Sequence, residues 1–148
     1  MHSPSKNLVF IVDDKDDDST ILLIAFSKVR PDCRLECYTS GKELSERLML
    51  TNAPLPNLIM LDLILPEVDG LLILKRIRSN PLLNQIPVVI FTHSDSKSDL
   101  IQCYEAGASS YILKPGSFEE LGRLVEVTSH YWLDTVRKTA RISNHPSY

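Results

Sequence analysis

Four short apolar runs organise the chain: Leu8 to Val12, Leu58 to Leu63 with Asp62 as its one polar residue, Val88 to Phe91, and Tyr111 to Leu113. None alternates polar with apolar positions, so none has a solvated face. Strands of this kind belong to parallel sheets covered on both sides. A weaker fifth run, Leu35 to Tyr38, fits an edge strand. Helical patterns lie between the runs and carry their own start and stop signals. Ser19 to Val29 follows a string of aspartates suited to the positive end of a helix. Ser40-Gly-Lys-Glu43 and Ser117-Phe-Glu-Glu120 read as capping boxes. Gly107 stands where a C-terminal cap would close the helix bearing Leu100, Ile101, Tyr104 and Ala106. Pro54-Leu-Pro56 and Asn80-Pro81 punctuate the loops before the third and fourth strands. Strand and helix thus alternate five times. That order predicts an α/β fold, a doubly wound five-stranded parallel sheet whose right-handed crossovers place helices on both faces.

The last helical pattern ends near Leu133, which gives one domain over 8–133, a flexible N-terminus over 1–7, and a tail over 134–148 too short for a second domain. At 148 residues, one hydrophobic core is expected. With 43% hydrophobic and 24% charged residues, neither a disordered nor a fibrous class fits. A net charge of −3 argues against nucleic acid as a partner, since such domains carry a basic face, and leaves proteins. No apolar stretch approaches bilayer length, and none of signal-peptide length follows Lys6 before Asp13 interrupts the first run, so no membrane association and a cytoplasmic location are expected. Cys33, Cys37 and Cys103 make an odd number with no CxxC pair and no histidine at a zinc-site spacing, which points to reduced thiols. The glycines, Gly41, Gly70, Gly107, Gly116 and Gly122, are isolated, which removes the nucleotide-binding loops.

In an open parallel sheet, ligands bind beyond the carboxyl ends of the strands. The first strand ends in Asp13-Asp14, the third around Asp62, the fourth in Thr92, and the fifth in Lys114-Pro115. Asp62 in a central strand is costly unless it has a partner or a task. Three carboxylates within about 4 Å of one another would repel by roughly 4 kcal/mol per pair at a surface-like dielectric, so a cation is required. Hard oxygens around an incomplete shell suit Mg²⁺. A carboxylate can also attack phosphorus to give an acyl phosphate. The metal and Lys114 would then neutralise the transferring group, and Thr92 could donate a hydrogen bond to it. Asp16, Asp17 and Asp18 read as helix-capping residues. A calcium-loop reading of Asp14 to Asp18 fails because Ser19 and Ala25 stand where that loop needs glycine and glutamate.

Val12-Asp-Asp14, Leu61-Asp-Leu-Ile-Leu-Pro-Glu-Val-Asp-Gly70, Phe91-Thr92 and Ala106-Gly-Ala-Ser-Ser-Tyr-Ile-Leu-Lys-Pro115, in this order and at strand ends, resemble the receiver domains of two-component response regulators. The resemblance runs from roughly Leu8 to Leu133 and includes the chemotaxis-type single-domain members. It implies a flavodoxin-like strand order of 2-1-3-4-5. It also implies that Asp62 is phosphorylated, with Mg²⁺, by a histidine kinase or histidine phosphotransfer protein. Asp14 would be a direct metal ligand, Asp13 an assisting one, and the Ile64 carbonyl, with Asp62, would complete the protein ligands. Thr92 becomes the switch hydroxyl, Lys114 the phosphoryl-binding lysine, and Tyr111 the switch aromatic. A cis Lys114–Pro115 bond is implied as well.

Such a protein is no enzyme beyond its own phosphoryl transfer and slow autodephosphorylation. It signals to a downstream protein through the surface of its fourth helix, fifth strand and fifth helix. Tyr131-Trp-Leu133, followed by Arg137, Lys138 and Arg141, is similar to receivers of phytochrome-type and hybrid sensor kinases, which implies a homodimer. Two positions set this chain apart. His93 follows the switch threonine where the family usually has a small residue, and it would crowd the site or touch the phosphoryl group. Ile64, two residues after Asp62, cannot orient an attacking water, so a long-lived phosphoryl group is expected. The same residue removes an aspartyl-phosphatase reading, which needs an acid there. A degenerate receiver that binds partners without phosphorylation is the alternative; the complete acidic and lysine set argues against it, and His93 keeps it open.

Overall fold

Apolar side chains on successive strand positions point to opposite faces of a sheet, and this chain buries both. In the computed structural model, which describes residues 7–137, the strands are β1 (Leu8–Val12), β2 (Arg34–Tyr38), β3 (Leu58–Leu61), β4 (Val88–Thr92) and β5 (Ser110–Leu113). All neighbours pair in parallel, in the order β2-β1-β3-β4-β5. Phe10, Val12, Ile59, Leu61 and Ile90 pack on one side with Leu44, Ile73, Leu74 and Ile77. Val9, Ile11, Leu58, Met60 and Val89 pack on the other with Leu22, Phe26, Leu121 and Val125. The first group meets helices α2 (Gly41–Leu48) and α3 (Gly70–Ser79), with α4 (Lys97–Glu105) alongside through Cys103; the second meets α1 (Asp16–Val29) and α5 (Phe118–Ser129). The doubly wound sheet expected from the alternation is observed, in the flavodoxin-like strand order that the resemblance implies. No helix among the described residues is long and apolar enough to cross a membrane.

Local signals place the helix ends. Ser40 Oγ accepts from Glu43 N at 3.1 Å and Ser117 Oγ accepts from Glu120 N at 3.1 Å, as capping boxes require. The Glu43 carboxylate reaches back one residue further than the pattern implies, to Thr39 N at 2.7 Å. Gly107 has a φ of 101°, and Ala108 N donates to Cys103 O at 2.9 Å, so α4 ends in the left-handed turn that glycine favours. Helix α1 begins at Asp16 rather than Ser19, because three acids fill its first turn against the positive helix end. Strand β3 stops at Leu61 rather than Leu63: Gly70 N takes the Leu63 carbonyl at 2.8 Å and turns the chain toward α3.

The ends of the described chain are tied to the domain by bonds of their own. The Asn7 carbonyl accepts from Arg34 N at 2.8 Å, so pairing with β2 already includes that residue. After α5 the chain continues in a π-helical turn over His130–Thr135. There Arg30 grips Asp134 through two bonds of 3.1 Å, drawing the ordered unit past Leu133. Residues 1–6 and 138–148, with Lys138 and Arg141 among them, lie outside the described residues.

Arg78 ties α3 to the turn before β5. Its Nε donates to Gly107 O at 2.7 Å, Nη1 to Ile86 O at 2.8 Å, and Nη2 to Ser109 Oγ at 3.3 Å. Removing it strands part-buried acceptors, and an acceptor left unsatisfied in a buried setting costs about 1–3 kcal/mol. Arg78→Ala is therefore expected to lower stability by about 3 kcal/mol. Urea unfolding followed by Trp132 fluorescence checks this, and an unchanged midpoint would show that water replaces the guanidinium at no loss.

Candidate functional site

The sheet itself brings the acidic corners together. Asp13 N donates to Tyr38 O at 3.0 Å, Asp62 N to Val12 O at 3.0 Å, and Lys114 N to Thr92 O at 2.8 Å, so each residue is held by one last backbone bond beyond its strand. Lys114 Nζ donates its three hydrogens to Asp13 Oδ2 at 2.6 Å, Asp18 Oδ2 at 2.8 Å and Asp62 Oδ2 at 2.8 Å. The side chains of Lys114 and Asp62 are 4% exposed and that of Asp13 6%, so the contacts are shielded from water. The remaining carboxylate oxygens are held by backbone: Asp13 Oδ1 accepts from Lys15 N at 2.9 Å and Asp62 Oδ1 from Ile64 N at 3.2 Å. Both carboxylates are thereby fixed in orientation.

Burial works against the Lys114 charge, but the bonds to Asp13, Asp18 and Asp62 outweigh it and keep the ammonium protonated above its ordinary range. Burial pushes the Asp13 carboxyl up, more than its bonds from Lys114 and Lys15 pull it down. Burial also raises Asp18, yet Lys114, with help from His93 and Lys15, holds it below the usual carboxylate range. Three carboxylates against one ammonium leave a surplus of two negative charges at this rim.

Thr92, fully buried, accepts from Ser94 N through Oγ1 at 3.4 Å. The Tyr111 hydroxyl donates to Ser94 O at 2.7 Å, and Tyr111 N donates to the Tyr104 hydroxyl at 3.1 Å. Thr92 and Tyr111 therefore meet on one residue of the loop between β4 and α4. His93 Nε2 lies 3.5 Å from Asp18 Oδ2. Ile64 is exposed beside Asp62.

The structure gathers Asp13, Asp62 and Lys114 and sets Thr92 at the neighbouring strand end. It leaves Asp14 exposed at the rim. It adds Asp18, which the sequence reading assigned to helix capping. Asp18 is the third residue of α1, one turn after Asp14, and its position on the first turn was the one available signal. The Lys114–Pro115 bond also differs: no peptide bond among the described residues is cis. The trans form is the lower in energy by about 0.5–1 kcal/mol, and Lys114 meets all three carboxylates from it.

No three acidic, histidine or cysteine side chains among the described residues stand spaced as a finished metal cage. The donor set nevertheless suits a hard divalent cation. Asp13 and Asp62 both direct an oxygen at the Lys114 ammonium, the Ile64 carbonyl follows Asp62 by two residues, and surplus negative charge remains. Mg²⁺ needs only one or two carboxylates, because it keeps several waters.

A doubly wound sheet with acids beyond β1 and β3 and a lysine beyond β5 places a charged site at the carboxyl ends of its strands, where open sheets of this class bind their ligands. The family model for the response regulator receiver domain matches residues 9–126, and the chain belongs to that family of two-component systems. It is 36% identical over 129 residues to the probable methanogenesis regulatory protein FilR2 of Methanothrix harundinacea, covering 85% of this chain and 83% of that one. It is 33% identical over 133 residues to the response regulator Rcp1 of Synechocystis, covering 87% and 90%. The phosphorylated cyanobacterial phytochrome response regulator RcpA superposes with a TM-score of 0.83 at 29% identity, over 89% of this chain and 97% of that one. The Mn²⁺-bound form of Rcp1 superposes with a TM-score of 0.81 at 33% identity, over 90% and 99%. Members of the family are signalling proteins rather than enzymes of metabolism, and they work with divalent metal and histidine kinases.

Proposed function

We propose that Asp62 accepts a phosphoryl group from the phosphohistidine of a sensor kinase or histidine phosphotransfer protein, and that the chain signals through the resulting change of surface. One observation carries the reading: the Asp62 carboxylate is buried at a central strand end and bonded at 2.8 Å to an ammonium that two further acids also hold. A carboxylate oxygen of Asp62 forms the new bond to phosphorus. The phosphorus–nitrogen bond of the donor breaks, and its electron pair leaves with the imidazole. Mg²⁺, held by Asp13, Asp14, Asp62 and the Ile64 carbonyl, would supply neutralisation of the transferring charge. Lys114 turns the hydrogen now directed at Asp62 toward a phosphoryl oxygen.

The Thr92 hydroxyl hydrogen is free to follow, since Oγ1 only accepts in its bond with Ser94. Movement of Thr92 shifts Ser94, whose carbonyl holds the Tyr111 hydroxyl, while the Tyr111 backbone N holds the Tyr104 hydroxyl beside it. The surface of α4, β5 and α5, where Ile101, Tyr104 and Leu113 are exposed, thereby changes population. The likeness to RcpA, a phytochrome response regulator, favours a phytochrome-type kinase as donor. Ile64 leaves no side chain to activate water, which supports a long-lived acyl phosphate.

Intact mass after incubation with acetyl phosphate and Mg²⁺ tests the reading. Wild type is expected to gain one phosphoryl group, and Asp62→Asn or excess EDTA to abolish the gain. No gain in wild type would overturn it.

A further inference from the structure

Asp18 does more than cap a helix. Its Oδ2 takes the third hydrogen of Lys114 at 2.8 Å, and the same oxygen lies 3.5 Å from His93 Nε2. The two partners come from different strand ends: Lys114 follows β5 and His93 follows β4, whereas Asp18 sits on the first turn of the helix that follows β1. In the sheet order, β3 lies between β1 and β4, and Asp62 stands at its end. The Asp18–His93 contact therefore joins the first turn of α1 to the loop after β4, the elements that follow the strands on either side of β3. The Asp18 side chain is 26% exposed and that of His93 54% exposed, whereas those of Lys114 and Asp62 are 4% exposed, so the pair lies nearer solvent than the bond between Lys114 and Asp62.

We infer that Asp18 is a positioning residue that draws His93 and Lys114 into a cover over Asp62, and that this cover sets how long a phosphoryl group persists there. The inference rests on the phosphorylation of Asp62 proposed above. Lys114 meets the phosphoryl oxygens directly; Asp18 acts through it and through His93. With the third hydrogen of Lys114 anchored on α1, the ammonium holds its direction when the Asp62 contact is exchanged for a phosphoryl contact. With the imidazole drawn toward α1, water approaches phosphorus through a narrower opening. An apolar Ile64 and a tethered His93 act together: one withholds a base, the other restricts the path.

The test follows loss of the phosphoryl group from the full chain by intact mass, after acetyl phosphate is removed and Mg²⁺ retained. Asp18→Asn and His93→Ala are each expected to shorten the lifetime about fivefold, the scale of one partly exposed ion pair. The double variant is expected to lose no more than either alone, because both changes open the same cover. Asp18→Glu, which keeps the charge, should recover most of the wild-type lifetime, a recovery that a capping role alone would not produce. His93 is surface-exposed, so its variant reports even where the Asp18 variants lose stability. Wild-type lifetimes in Asp18→Asn and His93→Ala, or additive losses in the double variant, overturn the inference while phosphorylation of Asp62 stands. A wild type that takes no phosphoryl group overturns both.

Discussion

Lys114→Met is expected to lower the unfolding free energy at neutral pH by about 3 kcal/mol, the scale seen when one partner of a buried ion pair is removed. Methionine keeps the length and apolar stem of lysine, so little of the loss comes from packing. It comes from Asp13, Asp18 and Asp62, which all direct an oxygen at the vacated ammonium position. With that ammonium gone, their mutual repulsion has no internal compensation. Two consequences distinguish this cause from a packing defect. Millimolar Mg²⁺ should restore part of the loss, because a divalent cation can replace the missing charge. The loss should also shrink as pH falls toward the carboxylate range. Asp18 is held below that range largely by Lys114 and returns upward in the variant, so its charge is relieved by mild acid. Urea unfolding of wild type and variant, with and without Mg²⁺, at neutral and mildly acidic pH, measures all three effects. A variant as stable as wild type without metal would mean that the ammonium contributes nothing net to this cluster.

The same cluster shows what the amino-acid sequence can reveal and what it cannot. Strand-end position is legible because a run such as Leu58 to Leu63 needs no partner information to be recognised as buried. A polar residue within such a run stands out at once. Asp62 stands out that way, and Thr92 and Lys114 by their places at the ends of such runs. Asp18 was not legible, because its first-turn position has a sufficient local explanation in the helix dipole. Its contact with Lys114 spans 96 residues of sequence, and only the parallel pairing of the strands brings it about. Asp14 illustrates the converse. It shares a strand end with Asp13, but Asp13 is buried and bonded to Lys114 whereas Asp14 is exposed. At the far end of the domain, an apolar cluster at Tyr131 to Leu133 marked a helix end, whereas the bonds of Arg30 to Asp134 depend on a residue about one hundred positions earlier. Local chemistry set the caps; distant partners set the ends.

Gly70 lies between these cases, since the motif includes it and gives no reason for it. Its backbone does not require glycine: it opens α3, and its φ is not among the positive ones. Space is the reason. A Cβ at this position would stand 2.3 Å from the Asp62 carbonyl oxygen, 2.8 Å from Leu63 Cα and 3.0 Å from the Asp62 carbonyl carbon. All three are backbone atoms, so no flexible side chain can swing aside. Alanine is the better helix former by up to about 1 kcal/mol, but overpacking against fixed backbone costs about 1–3 kcal/mol or more, and the second effect wins. Gly70→Ala is therefore expected to lose about 2 kcal/mol of stability. The displacement falls on Asp62 itself, and misplacing a reacting group by about 1 Å can cost on the order of a hundredfold in rate. Phosphorylation by acetyl phosphate should accordingly slow by at least about tenfold in this variant, even under conditions where it is fully folded. Gly122→Ala supplies the contrast: it lies within α5 with nothing within 4 Å of the added carbon, so it should gain up to about 1 kcal/mol. Paired urea unfolding and phosphorylation rates separate the two glycines. A Gly70→Ala protein that matches wild type in both would show that the loop after β3 yields freely, and that the position of Asp62 does not depend on this contact.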